Sequence, residues 1–218
     1  MSPINLQLVR EFFELHSFRV LTNWQQDTGR AGEAVVQLFV ENCQPEPERQ
    51  LDTLLRLEDI PVLERAVVDV RAWHGDRFYA SVVENNPILT QSAQPLARAQ
   101  AAEVFGPHAE VKTVLVLSEL PTSPEQRART VTKFEEAGID HVIEFPTILY
   151  GLLEKVSAGG DYGASPTLAV LRLLKRYRMV RNMQMEFAFR GERIARADAA
   201  KIDAAIPEPD ELPGEDEG

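Results

Sequence analysis

At residues 66–74 the chain reads Ala66-Val67-Val68-Asp69-Val70-Arg71-Ala72-Trp73-His74, and this stretch decides the fold. Side chains alternate along a β-strand, so one face of the stretch is apolar and the other carries Asp69, Arg71 and Trp73. An acid and a base two residues apart on a core strand indicate one of two structures. The first is a cleft for a metal or a phosphate, and the second is a buried ion pair at the edge of a sheet.

The pattern on either side of this strand predicts an α/β fold. A helix is expected at residues 6–16, strands at 18–24 and 34–40, a strand or extended segment at 78–83, and a helix at 87–104 interrupted by Pro95. The apolar run 113–117 is typical of a fully buried strand. A helix follows, with Ser123 as N-cap and Gln126 completing a capping box, and it is expected to end at Gly138. A strand at 141–145 and a helix capped by Thr147 come next. This strand–helix–strand order makes both strands parallel and predicts a central mixed sheet flanked by helices.

Charge divides the end of the chain from the rest. Residues 1–156 are expected to form the α/β domain, 157–206 a basic, partly helical extension, and 207–218 an acidic disordered tail. A helix is expected from residue 167 to about 180, and a weak strand at 183–189. The tail holds six acids and no base.

Composition narrows the class of protein. The net charge of −11 argues against nonspecific affinity for nucleic acid, except where bases cluster. Cys43 is the single cysteine, so an intramolecular disulfide is excluded. No apolar run is long enough to span a bilayer and no signal peptide is recognised, so we expect a cytoplasmic protein with no membrane contact.

The order of helix, three strands, helix and strand, with an acid-x-base pair on the third strand, resembles the PD-(D/E)XK nuclease superfamily, the restriction-endonuclease-like fold. In this resemblance residues 18–21, 34–40, 67–73 and 111–117 correspond to the family's four core strands. The similarity extends over roughly residues 5–145.

The resemblance implies a Mg²⁺-dependent site that cleaves phosphodiesters. Asp69 takes the place of the family's metal-binding acid, and Arg71 that of its lysine. Glu33 near the second strand and Glu14 on the first helix are the further metal ligands, with Glu41 and Glu11 as alternatives. Two departures count against catalysis. Arginine stays protonated and is no base near neutral pH, and Gln37 stands where the family has its second acid.

A block of bases between residues 172 and 196 is the candidate nucleic-acid surface. Its first members are Arg172, Lys175, Arg176, Arg178 and Arg181, interleaved with Tyr177. The alternative is a solvated surface that the acidic tail screens. The sequence therefore predicts a degenerate nuclease-like protein that binds DNA or RNA with weak or no cleavage. The alternative function is a non-catalytic interaction or scaffold protein of the same fold, with the charged C-terminal region binding a protein partner.

Overall fold

A five-stranded mixed sheet lies at the centre of the protein. The computed structural model describes residues 2–23, 38–75 and 77–180. The strands are β1 (Phe18–Thr22), β2 (Leu38–Asn42), β3 (Arg65–Arg71), β4 (Lys112–Leu117) and β5 (His141–Glu144). They lie in sequence order across the sheet. β1, β2 and β3 pair antiparallel, whereas β3, β4 and β5 pair parallel. The predicted α/β class with a mixed sheet is confirmed.

Helices cover both faces of this sheet. They are α1 (Pro3–Leu15), α2 (Ala80–Asn85), α3 (Pro95–Phe105), α4 (Pro124–Glu136), α5 (Phe145–Lys155) and α6 (Pro166–Arg176), with 3₁₀ turns at Leu57–Val62 and Pro87–Ala93. Buried side chains of α1, α5 and α6 pack with Val68 and Val70 on one face. Those of α2, α3 and α4 pack with Val67, Leu115 and Leu117 on the other. No helix among the described residues is long and apolar enough to cross a membrane.

Alternation along β3 follows the predicted pattern. Ala66, Val68 and Val70 are fully buried on the α1/α5 face. Residues 114–117 of β4 are likewise fully buried, as their continuous apolar character predicts. β3 is thus a central strand with a helical layer on each side, and polar groups on it must be satisfied within the protein.

The region from β4 to α5 largely follows its sequence signals. β4 and β5 are parallel and are connected through α4, as predicted. α4 starts at Pro124, and Gly138 just beyond it has φ +85°, a conformation that favours glycine. The Pro95 interruption is also confirmed, because a 3₁₀ turn ends at Ala93 and α3 starts at Pro95.

Several local predictions are wrong. Residues 78–83 do not form a strand, since Tyr79 is extended but α2 already starts at Ala80. Tertiary packing outweighs the β-propensity of this segment, because Phe78 and Val83 are buried with α4 in one apolar cluster. Ser123 is the N-cap residue of α4, as predicted, but its side chain makes no capping hydrogen bond, so the predicted capping box does not form. Thr147 does not cap α5, which starts two residues earlier, at Phe145.

Other segments differ in extent or lie outside the described residues. β3 ends at Arg71 rather than at residue 74, because the Trp73 amide donates to the Arg71 carbonyl and turns the chain. α6 ends at Arg176, earlier than predicted. The segments predicted at 34–37, 183–189 and beyond residue 195, with the acidic tail, lie outside the described residues.

Candidate functional site

Asp69 lies in the middle of the sheet and is closed off from solvent. It pairs in register with Leu115 of β4, and its exposed fraction is zero. Alternation places its side chain on the face opposite Val68 and Val70, where the apolar cluster around Leu115 lies. The 3₁₀ turn Pro87–Ala93 packs against both β3 and β4, and its Leu89 belongs to that cluster. The acid of the predicted cleft is therefore covered by protein.

Arg71 is the partner of this buried acid. Its Nε donates to Asp69 Oδ2 at 2.9 Å, and only 14% of its side chain is exposed. Asp69 Oδ1 is buried and has no hydrogen-bond partner among the described residues. The sequence left open a cleft or a buried ion pair, and the geometry is that of a buried pair.

The electrostatics of Asp69 follow from its burial. Desolvation raises its pKa to about 6, against the opposing effects of the Arg71 charge, the Arg71 hydrogen bond and the Val70 amide. Arg71 is the one charged group of the described chain that acts on this pKa. A second carboxylate close to Asp69 would add a repulsion, and none contributes from the described residues.

The predicted metal ligands are not brought together. Glu14 belongs to α1, which covers the opposite face, and its Oε1 accepts from Arg10 Nε at 2.8 Å. The alternative ligand Glu11 is buried on the same helix and accepts from the hydroxyls of Ser165 and Thr167. Glu14 and Asp69 therefore cannot share an ion, because the sheet separates them.

The acids predicted beside the second strand do not support a metal site at Asp69 either. Glu41 accepts from Arg65 Nε at 3.0 Å. Glu33 and Gln37 lie outside the described residues. Across the described ranges, no three His, Cys, Asp or Glu side chains cluster in a way that would hold a metal ion.

The predicted basic surface divides into two parts. Lys175 Nζ donates to the Leu153 carbonyl at 2.6 Å and Arg172 Nη1 to the Gly160 carbonyl at 3.3 Å, so both are partly buried and hold α6 in place. Arg176 and Arg178 are exposed and form no ion pair with a described acid. Arg181 lies outside the described residues.

The same end of the chain exposes apolar side chains that the sequence did not single out. On and just after α6, large parts of four apolar residues are open to solvent: Val170, Leu173, Tyr177 and Met179. Val170, Leu173 and Tyr177 are spaced three and four residues apart, so they form one stripe. The sequence did contain a signal for this stripe. The α6 segment is amphipathic, and it holds more apolar residues than its buried side uses.

Sequence reasoning also missed a polar group at the carboxyl ends of β3, β4 and β5. His74 Nε2 lies 3.2 Å from Asn5 Oδ1, and Asn5 Nδ2 donates to the Ala72 carbonyl at 2.9 Å. Asn5 is buried. His74 thus contacts α1, which covers the face of the sheet opposite Asp69. The Asn5 contact had no sequence signal, because 69 positions separate the partners.

Comparison with known proteins identifies no relative. The chain matches no protein-family model, no curated protein and no solved structure.

Proposed function

We propose that the chain is a non-catalytic interaction protein with a restriction-endonuclease-like fold, whose α6 surface binds an acidic, amphipathic segment of another protein. The α6 surface consists of Val170, Leu173, Arg176, Tyr177, Arg178 and Met179. The observation that carries the proposal is this stripe of exposed apolar side chains, next to two arginines without an acidic partner among the described residues.

The element order supports the resemblance to the nuclease fold. α1 is followed by β1, β2 and β3, then by helices and β4, and Asp69-Val70-Arg71 lies on β3. This is the order that the resemblance implies for the family core. The five strands lie in chain order, with β3 and β4 parallel.

The state of Asp69 favours a protein without catalysis. A metal-binding acid must present its oxygens to an ion and its bound water, whereas Asp69 is fully buried and paired with Arg71. Its raised pKa shows that its surroundings disfavour the carboxylate, which is the form that binds Mg²⁺.

The chemistry of the α6 surface favours a protein partner over nucleic acid. Two of the five predicted cations, Arg172 and Lys175, are bound to backbone carbonyls, which leaves Arg176 and Arg178 exposed among those described. The net charge of −11 disfavours any acidic partner at long range, and it disfavours a polyphosphate more than a peptide whose apolar face supplies part of the contact. Apolar residues at helical spacing beside arginines complement an amphipathic helix with acidic flanks.

The first experiment tests binding with the full chain. The probe is a fluorescent amphipathic peptide of leucine and glutamate, about 20 residues long, and its anisotropy is measured. Leu173→Glu is expected to weaken binding about tenfold or more, because an interface loses a buried leucine and gains a charge facing acids. The matched control is Leu96→Glu on α3, since Leu96 is 44% exposed and Leu173 is 41% exposed.

Three results would overturn the partner assignment. The first is no peptide binding, or an equal loss in both variants. The second is steeply salt-dependent binding of duplex DNA or single-stranded RNA that Arg176→Ala weakens, which would restore the nucleic-acid hypothesis. The third is a self-associating chain that Leu173→Glu converts to monomer in sedimentation, which would assign the surface to a second copy.

The second experiment tests the absence of catalysis. Wild type, Asp69→Asn and Asp59→Asn are incubated with DNA and RNA in Mg²⁺ or Mn²⁺. Asp59 is a suitable control because it is also a buried acid paired with an arginine. If wild type shows any metal-dependent cleavage, we expect Asp69→Asn to show it as well. Cleavage lost in Asp69→Asn and kept in Asp59→Asn would establish an active nuclease and refute the proposal.

A further inference from the structure

A cleft of about 670 Å³ opens at the carboxyl ends of the three parallel strands. Its walls come from the segments after β3 and β4, from the first turns of α5 and from α1. In open α/β sheets, ligands bind at this edge, in crevices that combine an apolar wall with a few polar groups. This cleft has both: its polar lining includes His74, Arg77, Tyr79 and Glu119, and its apolar lining includes Leu8, Phe145 and Leu149.

Arg77 is held in place while part of its guanidinium stays available. Its Nε lies 3.3 Å from Glu119 Oε2, and its Nη1 donates to Thr122 Oγ1 at 3.0 Å. No described residue accepts from Nη2, and guanidinium hydrogens of this kind can bind an oxyanion. The side chain is 41% exposed, and Arg77 lines the cleft.

His74 is also held by contacts on the protein side. Asn5 Nδ2 donates to the Ala72 carbonyl, so Asn5 Oδ1 faces the imidazole and accepts from His74 Nε2. The ring packs edge-on against Phe145, with centroids 4.8 Å apart. With Nε2 donating to Asn5, Nδ1 of a neutral ring is an acceptor, so it can bind a hydroxyl group of a ligand but not its oxyanion. Ordering these side chains before binding lowers the entropic cost of binding.

We propose that this cleft binds a small organic acid, with its oxyanion on Arg77 beside His74 and its apolar body against Leu8, Phe145 and Leu149. The cleft and the α6 surface have no residue in common, so this site goes beyond the interaction function proposed above. A carboxylate and a phosphate monoester share this chemistry, so the experiment has one arm for each.

The test uses the full chain in ¹H–¹⁵N NMR titrations with benzoate and with phenyl phosphate. Benzyl alcohol supplies the apolar body without the charge, and inorganic phosphate supplies the charge without the body. We expect saturable shifts at Gly75, Ser118 and Phe145, which line the cleft, with at least one of the two acids. Each of the two partial probes is expected to bind at least about tenfold more weakly, because each forms only half of the contacts.

Two variants separate this site from general anion binding. Arg77→Ala is expected to weaken the acid about tenfold or more, whereas Arg98→Ala, an exposed arginine on α3, is expected to leave its affinity unchanged. Arg77→Lys is a second, conservative variant for the case that Arg77→Ala perturbs folding, and it is expected to weaken binding several-fold because lysine cannot form two parallel hydrogen bonds. The proposal is refuted if neither acid gives saturable shifts, if the shifts lie away from the cleft, or if Arg77→Ala and Arg98→Ala bind alike.

Discussion

Replacing Asp69 by asparagine is expected to stabilise the fold at neutral pH. The Asp69 side chain is fully buried, Oδ2 accepts from Arg71, and Oδ1 has no hydrogen-bond partner among the described residues. Asparagine has nearly the same shape without the charge, and its amide oxygen can accept from Arg71 Nε. The substitution therefore removes the cost of burying a carboxylate and keeps one hydrogen bond.

The magnitude follows from the pKa of Asp69. Burial raises this pKa from 3.8 to about 6. A difference of roughly two pK units corresponds to about 3 kcal/mol. Because the folded state binds the proton more tightly, Asp69's contribution to the free energy of unfolding is fully present below pH 3.8 and is lost as the pH rises through about 6. At pH 7 the free energy of unfolding of Asp69→Asn is expected to exceed that of wild type by about 1–3 kcal/mol, and near pH 4 the two are expected to differ little.

The assay is urea unfolding of both proteins at pH 7 and near pH 4. Asp59→Asn is the control, because Asp59 accepts from Arg49 at Oδ1 and from the Arg56 amide at Oδ2. With both oxygens bound, its replacement is expected to destabilise the fold by about 1–3 kcal/mol. If Asp69→Asn instead lowers the free energy of unfolding at pH 7 by more than about 1 kcal/mol, the ion pair outweighs the burial cost and the reasoning is wrong.

Glu11→Ala is expected to destabilise the fold by about 2–4 kcal/mol in urea unfolding, since it removes a buried acceptor of the Thr167 hydroxyl; a loss below about 1 kcal/mol would contradict this. Gly151→Ala is expected to lower Tm by several degrees, because a Cβ there would lie 2.5 Å from the buried Phe12 ring; an unchanged Tm would show that the ring moves freely. Burial lowers the pKa of His141, so the folded state resists its protonation and stability falls as the pH drops below about 6.5. His141→Gln is expected to lose less stability than wild type between pH 7 and pH 5, and equal losses in urea titrations would exclude this role.

Strand and turn chemistry made much of the fold predictable. The β4–α4–β5 unit carries an apolar run, a proline at the helix start and a glycine at positive φ, and all three act over a few residues. The α2 segment failed because its aromatic and β-branched residues favour a strand locally, whereas burial of Phe78 and Val83 against α4 selects a helix start.

The candidate sites were predictable only in part. Asp69 and Arg71 were identified as a pair because they are two residues apart on one strand. The Asn5–His74 contact and the hydrogen bond from Thr167 to Glu11 join positions 69 and 156 residues apart. Such contacts leave no periodic pattern, since they depend on how α1 packs against β3 and α6.

The sequence by itself determined which side chains share a face of β3, because alternation is a property of an extended backbone. It also determined the α/β class and the parallel pairing of β4 and β5, through short-range signals and the handedness of crossovers. Only the tertiary structure decided that the Asp69 face is covered and that α6 leaves an apolar stripe exposed. The physical reason is that periodicity specifies the direction of a side chain, whereas the packing of distant elements specifies whether it meets protein or water.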